Sequence, residues 1–219
     1  MRKISAAFMT VPSEDEKIDF IRSELRAAHC PLFYEGGNKK REAESLSGYY
    51  LLLCLLRSAG KTDFIEFIKK DHFGRPSFRN YPWLDFNISH TSGIAVCALG
   101  DGRRVGIDIE RIPVGVDRDR VAERFFSDRE KKEYALGGGT EEAFATVWTR
   151  MEAYCKYTGL GMEETEPTGK ELSALTFLTR MIIIGNREYV LSLCSKKLAG
   201  EGEDGVISQF FERIYVMPK

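Results

Sequence analysis

The sequence predicts an α+β fold built as a duplicated unit, each half a small, mainly antiparallel sheet packed with helices. Three observations carry this reading. Each half sets apolar residues at helical spacing beside short runs rich in β-branched residues. The order of helices and small sheet is alike in the two halves, although no residue-level repeat joins them. The 219 residues, 43% of them hydrophobic, suffice for a well-filled core, as one large domain or two small ones.

Charge and cysteine content exclude several classes. The net charge of -1, from 32 basic and 33 acidic residues, gives no overall attraction to nucleic acid or an anionic membrane. No apolar run reaches membrane length and Met1 to Thr10 lacks a secretory core, so a cytoplasmic protein is expected. Cys30, Cys54, Cys97, Cys155 and Cys194 are odd in number and scattered, which suits reduced, mostly buried thiols better than disulfides or a zinc site.

Lys3 to Val11 mixes short apolar residues and ends at Pro12, as a first strand would. Ser13 and Glu16 match a capping box, with Ile18, Ile21, Leu25 and Ala28 at helical spacing behind it. After Gly36 and Gly37, a second helix from about Lys40 to Ser58 puts Ala43, Leu46, Tyr50, Leu53 and Leu56 on one face, with Gly60 near its end. Lys39, Lys40 and Arg41 stand at its start, where cations oppose the helix dipole unless an anion binds; a solvated basic loop is the plainer reading.

Phe64 to Lys70 reads as a strand leading into the turn Phe73-Gly74-Arg75-Pro76, whose Gly allows close backbone approach and whose Arg suits a ligand. Phe86 to Ser89, ending at His90, and Ile94 to Leu99 read as strands, with Asp101-Gly102 as a hairpin turn into Val105 to Glu110. In that last stretch, VGIDIE, strand alternation sends Val105, Ile107 and Ile109 to one face and Gly106, Asp108 and Glu110 to the other. Two carboxylates pointing one way repel unless a cation sits beside them, and Mg²⁺ is the hard divalent ion that oxygen ligands favour. Taken alone, such alternation more often marks a half-exposed strand with a solvated acidic face.

Arg111 to Asp117, with Pro113 and Gly115, reads as a loop, and Arg118 to Phe126 as a helix. Ser127 and Glu130 form a second capping box for a short helix through Tyr134, before the break at Gly137 to Gly139. A long helix from about Glu141 to Tyr157 stops at Gly159, and Trp148, Glu152 and Lys156 form one stripe along it. A Glu to Lys pair at that spacing is ordinarily an exposed ion pair, but the neighbouring Trp argues for partial burial. Leu175 to Ile184, Tyr189 to Cys194 and Val206 to Val216 read as strands of a small sheet packed on this helix. Gly185-Asn186 is the hairpin turn between the first two, and Ala199 to Gly205 the connection to the third.

The ordered motifs GRP, NISHT, VGIDIE, RFFSDRE and WTRMEAYCKYTGLGM resemble those of the 4'-phosphopantetheinyl transferases, in particular the long, surfactin-synthetase-activating type. The resemblance runs from about Gly74 to Met162. It implies two similar halves, residues 1–105 and 106–219, with the active site in the cleft between them. It implies Mg²⁺-dependent transfer of the phosphopantetheine arm of coenzyme A, the co-substrate, to a serine of an acyl or peptidyl carrier protein, releasing 3',5'-ADP. Asp108, Glu110 and Glu152 would hold Mg²⁺, with Mn²⁺ as an alternative. Glu152 would take the serine proton, directly or through a metal-bound water, and Lys156 would contact the phosphates. His90 would bind the 3'-phosphate with Ser89 nearby, while Gly74, Arg75 and Pro76 would lie along the adenine. Lys39, Lys40 and Arg41 would add phosphate contacts, and Arg111 to Phe126 would receive the carrier protein. The duplicated form implies a monomer.

Two departures from the family pattern stand out. Met151 occupies the position before the helix Glu where many members have Lys, and Arg150 would serve only by reaching round the helix. Ala43 to Gly48 offers Glu44 and Ser45 where the family often has a phosphate-binding Arg. They keep open a non-catalytic coenzyme A or carrier-binding homologue, against which the intact Asp108, Glu110, Glu152 and Lys156 speak. A Mg²⁺-dependent pyrophosphate hydrolase would share the same acids.

Overall fold

The computed structural model describes residues 3–34, 36–71, 74–113, 115–161, 169–197 and 212–213. Strand β1 (Lys3–Thr10) leads into α1 (Asp15–Ala27), which buries Ile18, Ile21 and Leu25. The Ser13–Glu16 capping box does not form. Glu14 is the N-cap, and its carboxylate accepts instead from the Ser13 N–H at 3.1 Å and from Lys17 Nζ at 2.9 Å. In α2 (Lys39–Ser58) the Asn38 side chain caps the helix through the Arg41 N–H at 3.0 Å. Its middle is buried nearly all round, with Tyr49, Leu51, Leu52 and Leu55 joining the predicted face, as befits a central helix.

The strand expected over Phe64 to Lys70 is mostly a 3-10 helix (Thr62–Phe67), followed by a three-residue β2 (Ile68–Lys70). Tertiary packing overrides the β-prone composition there: Ile65 is fully buried and the Phe64 ring packs edge-on against Tyr81 at 4.7 Å. Strand β3 (Pro76–Phe78) pairs with β2, and β4 (Leu84–Thr91) forms a hairpin with β5 (Ile94–Asp101). Then come β6 (Val105–Arg111), α3 (Arg118–Phe125), α4 (Asp128–Leu136) and α5 (Glu141–Thr158). The Ser127–Glu130 capping box is complete, and Gly159 ends α5 in the left-handed region at φ 82°. A short α6 (Gly169–Ser173) precedes β7 (Leu175–Ile184) and β8 (Arg187–Lys196), and β9 (Glu212–Arg213) is the last described element.

One sheet has the order β4-β5-β1-β9, the other β6-β8-β7, with β2 and β3 as a separate pair. Every described pairing is antiparallel except β1 with β9. Asp101-Gly102 is therefore a turn but no hairpin, because β5 pairs with β1 and β4 whereas β6 pairs with β8 in the other sheet. The third strand expected on the final sheet is also reassigned: β6 fills that place, and Glu212–Arg213 pairs parallel to β1. The rest of Val206 to Val216, Ala199 to Gly205, Phe73 and Met162 lie outside the described residues.

Alternation along β1 and β5 explains the layering. Ala7, Met9, Ala95, Cys97 and Leu99 pack with α1 and α2, while Ile4, Ala6, Ile94, Val96 and Ala98 pack against Val105, Ile107, Ile109, Leu191 and Leu193 of the second sheet. Both faces of these strands are covered, so both are apolar. The far face of the second sheet carries α5, through Ala153, Tyr154, Leu175 and Cys194. The described residues thus stack helix, sheet, sheet, helix. Cys30, Cys97, Cys155 and Cys194 are buried and Cys54 half-buried, none of them in a disulfide. Among the described residues no helix is long and apolar enough to cross a membrane.

Candidate active site

Strand β6 presents its two rows as its alternation predicts: Val105, Ile107 and Ile109 enter the core between the sheets, and Gly106, Asp108 and Glu110 take the other face. Gly106 allows α5 to lie directly on that face. A Cβ at this position would run into the Ala153 carbonyl oxygen and stand 2.5 Å from Tyr157 N. Close contact at Gly106 brings the Glu152–Lys156 turn of α5 over the two acids.

Asp108 is 2% exposed, and its Oδ1 accepts from Lys156 Nζ at 2.6 Å and from Ser89 Oγ at 2.8 Å. Lys156 Nζ also donates to Ser89 Oγ at 2.8 Å, so the three side chains close a triangle. Asp108 Oδ2 is buried with no hydrogen-bond partner among the described residues. Glu110 Oε2 accepts from Thr91 Oγ1 at 2.9 Å. Burial, then the charge of Asp108, pushes the Glu110 carboxyl up to about 7, against the lowering effect of Thr91 and Lys156. Burial also raises Glu152, with Lys156 opposing and Asp108 adding to the rise. These carboxylates feel one another, yet among the described residues no three His, Cys, Asp or Glu side chains converge on one point.

The wall facing these acids is β4. Asp85, Asn87, Ser89 and Thr91 fall at every second position and all turn toward β6. Asp85 Oδ2 accepts the Val105 N–H and Asn87 Oδ1 the Ile107 N–H, each at 2.9 Å, while Ser89 and Thr91 hold Asp108 and Glu110. A side-chain ladder thus joins two strands of different sheets.

Beside the acids lies a cavity of about 320 Å³ lined by Gly74, Arg75, Pro76, Asn87, Glu152 and Lys156 among others. A second, of about 570 Å³, shares Pro76 and Asn87 with it and is lined further by Tyr34, Arg41, Ser45, Lys70 and His90. His90 is exposed, its Nδ1 3.6 Å from Glu44 Oε2. The Arg41 guanidinium lies 5.1 Å from the Tyr34 ring centroid. Lys39 pairs instead with Asp15 at 3.4 Å and Lys40 with Glu44 at 3.9 Å, and neither lines the cavity. The structure therefore gathers Asp108, Glu110, Glu152, Lys156 and Ser89 on one side, with Gly74 to Pro76, Arg41 and His90 along the adjoining space.

A sequence profile of the 4'-phosphopantetheinyl transferase superfamily matches residues 104–194, the span from β6 to β8. Over 164 residues the chain is 30% identical to the 4'-phosphopantetheinyl transferase gsp of Aneurinibacillus migulanus, covering 73% of this chain and 67% of that one. The chain belongs to the 4'-phosphopantetheinyl transferase superfamily. It is also 28% identical to the 4'-phosphopantetheinyl transferase Sfp of Bacillus subtilis (strain 168) over 168 residues, 73% of this chain and 71% of the relative. The 4'-phosphopantetheinyl transferase HetI of Nostoc sp. is 38% identical over a shorter 88 residues, 38% of this chain and 36% of that one. The transferase is of the long, surfactin-synthetase-activating type.

In this transferase Met151 packs beside the cluster of Phe126, Tyr134, Phe144 and Val147. Arg150 does not reach the acids. It pairs with Glu133 on α4 and donates to Thr179 Oγ1 at 2.9 Å on β7. Sequence reasoning missed Thr91, Asp85, Lys70 and Tyr34. The polar row Asp85-Asn87-Ser89-Thr91, at strand period in an otherwise apolar segment, was the available signal for the first two. Arg75, expected beside a ligand, sends its guanidinium into the protein, to Asp85, Val105 and Lys156.

Proposed function

We propose that this transferase moves the 4'-phosphopantetheine arm of coenzyme A onto a serine of an acyl or peptidyl carrier protein, with Mg²⁺, and releases 3',5'-ADP. The observation that carries the reading is the buried acid set: Asp108 keeps one oxygen unpartnered, beside Glu110 and Glu152, both of raised proton affinity. That donor set fits a hard divalent cation, and Asp108, Glu110 and Glu152 would hold it. Bound there, Mg²⁺ supplies Lewis-acid stabilisation of the charge that grows on the leaving phosphate.

The chain's own groups do the rest. The cavity along Gly74, Pro76, Arg41, Lys70 and His90 receives the nucleotide end, with the Arg41 and Lys70 cations and the His90 imidazole for its phosphates. Lys39 and Lys40 serve as outlying contacts. Lys156 stands at the acid end of the cleft and offers its ammonium to the pyrophosphate. The serine oxygen of the carrier attacks the phosphorus that bears the pantetheine arm. A P–O bond forms to serine, the pyrophosphate P–O bond breaks, and Glu152 takes the serine proton. Burial raises the Glu152 proton affinity, which suits a base.

The halves, residues 1–105 and 106–219, meet at this cleft in a cytoplasmic monomer. The carrier docks along Arg111 to Phe126, where Arg111, Arg120 and Arg124 suit an acidic partner, and Arg118 is already paired with Glu141 at 2.6 Å. Intact-mass spectrometry of an apo acyl carrier protein incubated with the transferase, coenzyme A and Mg²⁺ tests the reading. A gain of one phosphopantetheine that requires the metal and disappears in Glu152→Gln and Asp108→Asn is expected. Coenzyme A binding without any gain, across several carriers, would favour a binding-only homologue; phosphopantetheine released without carrier would favour the hydrolase.

A further inference from the structure

Arg75 occupies an unusual place for a residue beside a ligand cavity. Its side chain is 9% exposed, and the guanidinium makes a forked pair with Asp85, Nη1 to Oδ1 at 2.8 Å and Nη2 to Oδ2 at 2.7 Å. Nε donates to the Lys156 carbonyl at 3.0 Å and Nη2 to the Val105 carbonyl at 3.0 Å, with Phe86 O farther off at 3.5 Å. One side chain therefore ties together β4, the first residue of β6 and the last turn of α5. Asp85, the other tine of the fork, accepts the Val105 N–H, so Arg75 and Asp85 grip Val105 from both its carbonyl and its amide.

The carbonyls in the last turn of a helix have no partner within the helix, and a cation there also opposes the negative end of its dipole. Arg75 fills that role at Lys156, and Arg104 repeats it at Thr158 O at 2.8 Å. The backbone of Lys156 is thereby fixed on the cavity side while its ammonium reaches Asp108 and Ser89. Glu152 lies one turn earlier on the same helix. A shift of this turn moves both groups relative to β6.

We propose that Arg75 is a positioning residue for the transfer: by clamping the Lys156 carbonyl to Asp85 and Val105, it holds the end of α5 at the height that aims Glu152 and Lys156 at Asp108. The inference rests on the reading that these residues carry the transfer. It gives the guanidinium a task within the protein in place of a contact to the nucleotide, because Lys156, Asp85 and Val105 already engage Nε, Nη1 and Nη2. A planar fork is needed, and Lys keeps the charge without it.

The test uses the full chain with Arg75→Lys and Asp85→Asn, the second leaving the Arg75 charge in place should the first fold poorly. Steady-state kcat and KM, the coenzyme A dissociation constant by calorimetry, thermal midpoints and amide exchange along α5 are measured together. Expected are a fall in kcat of about 10- to 100-fold, as for a displacement near 1 Å, and coenzyme A affinity within about threefold of wild type. Amide exchange should quicken in the last turn of α5 and stay slow in its first turns. Loss of coenzyme A affinity by tenfold or more with kcat retained would make Arg75 a ligand contact and overturn the proposal. A lowered thermal midpoint with kcat retained would make the clamp structural only, and would overturn it equally. Wild-type protein that transfers nothing would overturn the underlying reading, and is told apart because exchange along α5 still reports the clamp.

Discussion

Replacing Gly106 by Ala tests whether the approach of α5 to β6 sets both stability and activity. The added Cβ would meet the Ala153 carbonyl oxygen and would lie 2.5 Å from Tyr157 N and 2.9 Å from Tyr157 Cα. All three are backbone atoms, so no rotamer relieves the overlap. Reaching ordinary contact lifts this part of α5 from β6 by about 1 Å. Overpacking of this kind costs about 1–3 kcal/mol, offset by the roughly 0.5–1 kcal/mol that Ala gains over Gly within a regular element. The net of about 0–2.5 kcal/mol should lower the thermal midpoint of a chain of this size by up to roughly 10 °C. The functional effect is expected to be larger in proportion, because Glu152 and Lys156 ride on the displaced turn. A misplacement near 1 Å lowers kcat by about 100-fold. Scanning calorimetry reads the first quantity and intact-mass time courses on an apo carrier read the second, both below the midpoint of the variant. A Gly106→Ala protein equal to wild type in both would refute the packing argument.

Removing divalent cation with EDTA should lower carrier modification by at least about 100-fold, and added Mg²⁺ should restore it; a rate indifferent to EDTA would rule out the cation role of Asp108 and its neighbours. Thr91→Val keeps the side-chain shape but removes the hydroxyl that Glu110 accepts, and should weaken Mn²⁺ binding about tenfold by calorimetric titration. Thr91→Ser should bind Mn²⁺ nearly as wild type does, and equal affinities in all three proteins would deny the hydroxyl a part. Ser127→Ala breaks the capping box at the start of α4 and should cost about 1 kcal/mol, read as a fall in thermal midpoint of roughly 2–4 °C. Arg120→Glu combined with Arg124→Glu should raise the carrier KM by about tenfold without changing coenzyme A affinity; an unchanged carrier KM would count against docking along α3.

How far the sequence could be read depended on the range of the interaction. VGIDIE was legible because strand alternation is a local rule, and β6 places its apolar and acidic rows as that rule requires. The bounds of α5 were legible for the same reason, since Gly159 adopts the positive φ that stops it. Two capping boxes looked alike, but only Ser127–Glu130 formed; Glu14 displaced Ser13 at the other, with its own carboxylate drawn to Lys17. Asp101-Gly102 gave a true turn signal, with Gly102 at φ 72°, yet no local feature shows that the following strand joins a different sheet. Arg75 is the extreme case. Its partners Asp85, Val105 and Lys156 lie 10, 30 and 81 positions away, so its role belongs to the folded arrangement alone.

The side-chain ladder from β4 also bears on association between copies of the chain. Among the described residues strand β6 is an edge of its sheet, and an edge with free backbone amides invites another chain to add a strand. Here the Val105 and Ile107 amides already point at the oxygens of Asp85 and Asn87. The ladder that aligns the acids thus blocks an intermolecular β-zipper on its own sheet edge. Trimming Asp85 or Asn87 to an apolar residue would leave the Val105 or Ile107 amide buried without its acceptor, and should lower the thermal midpoint.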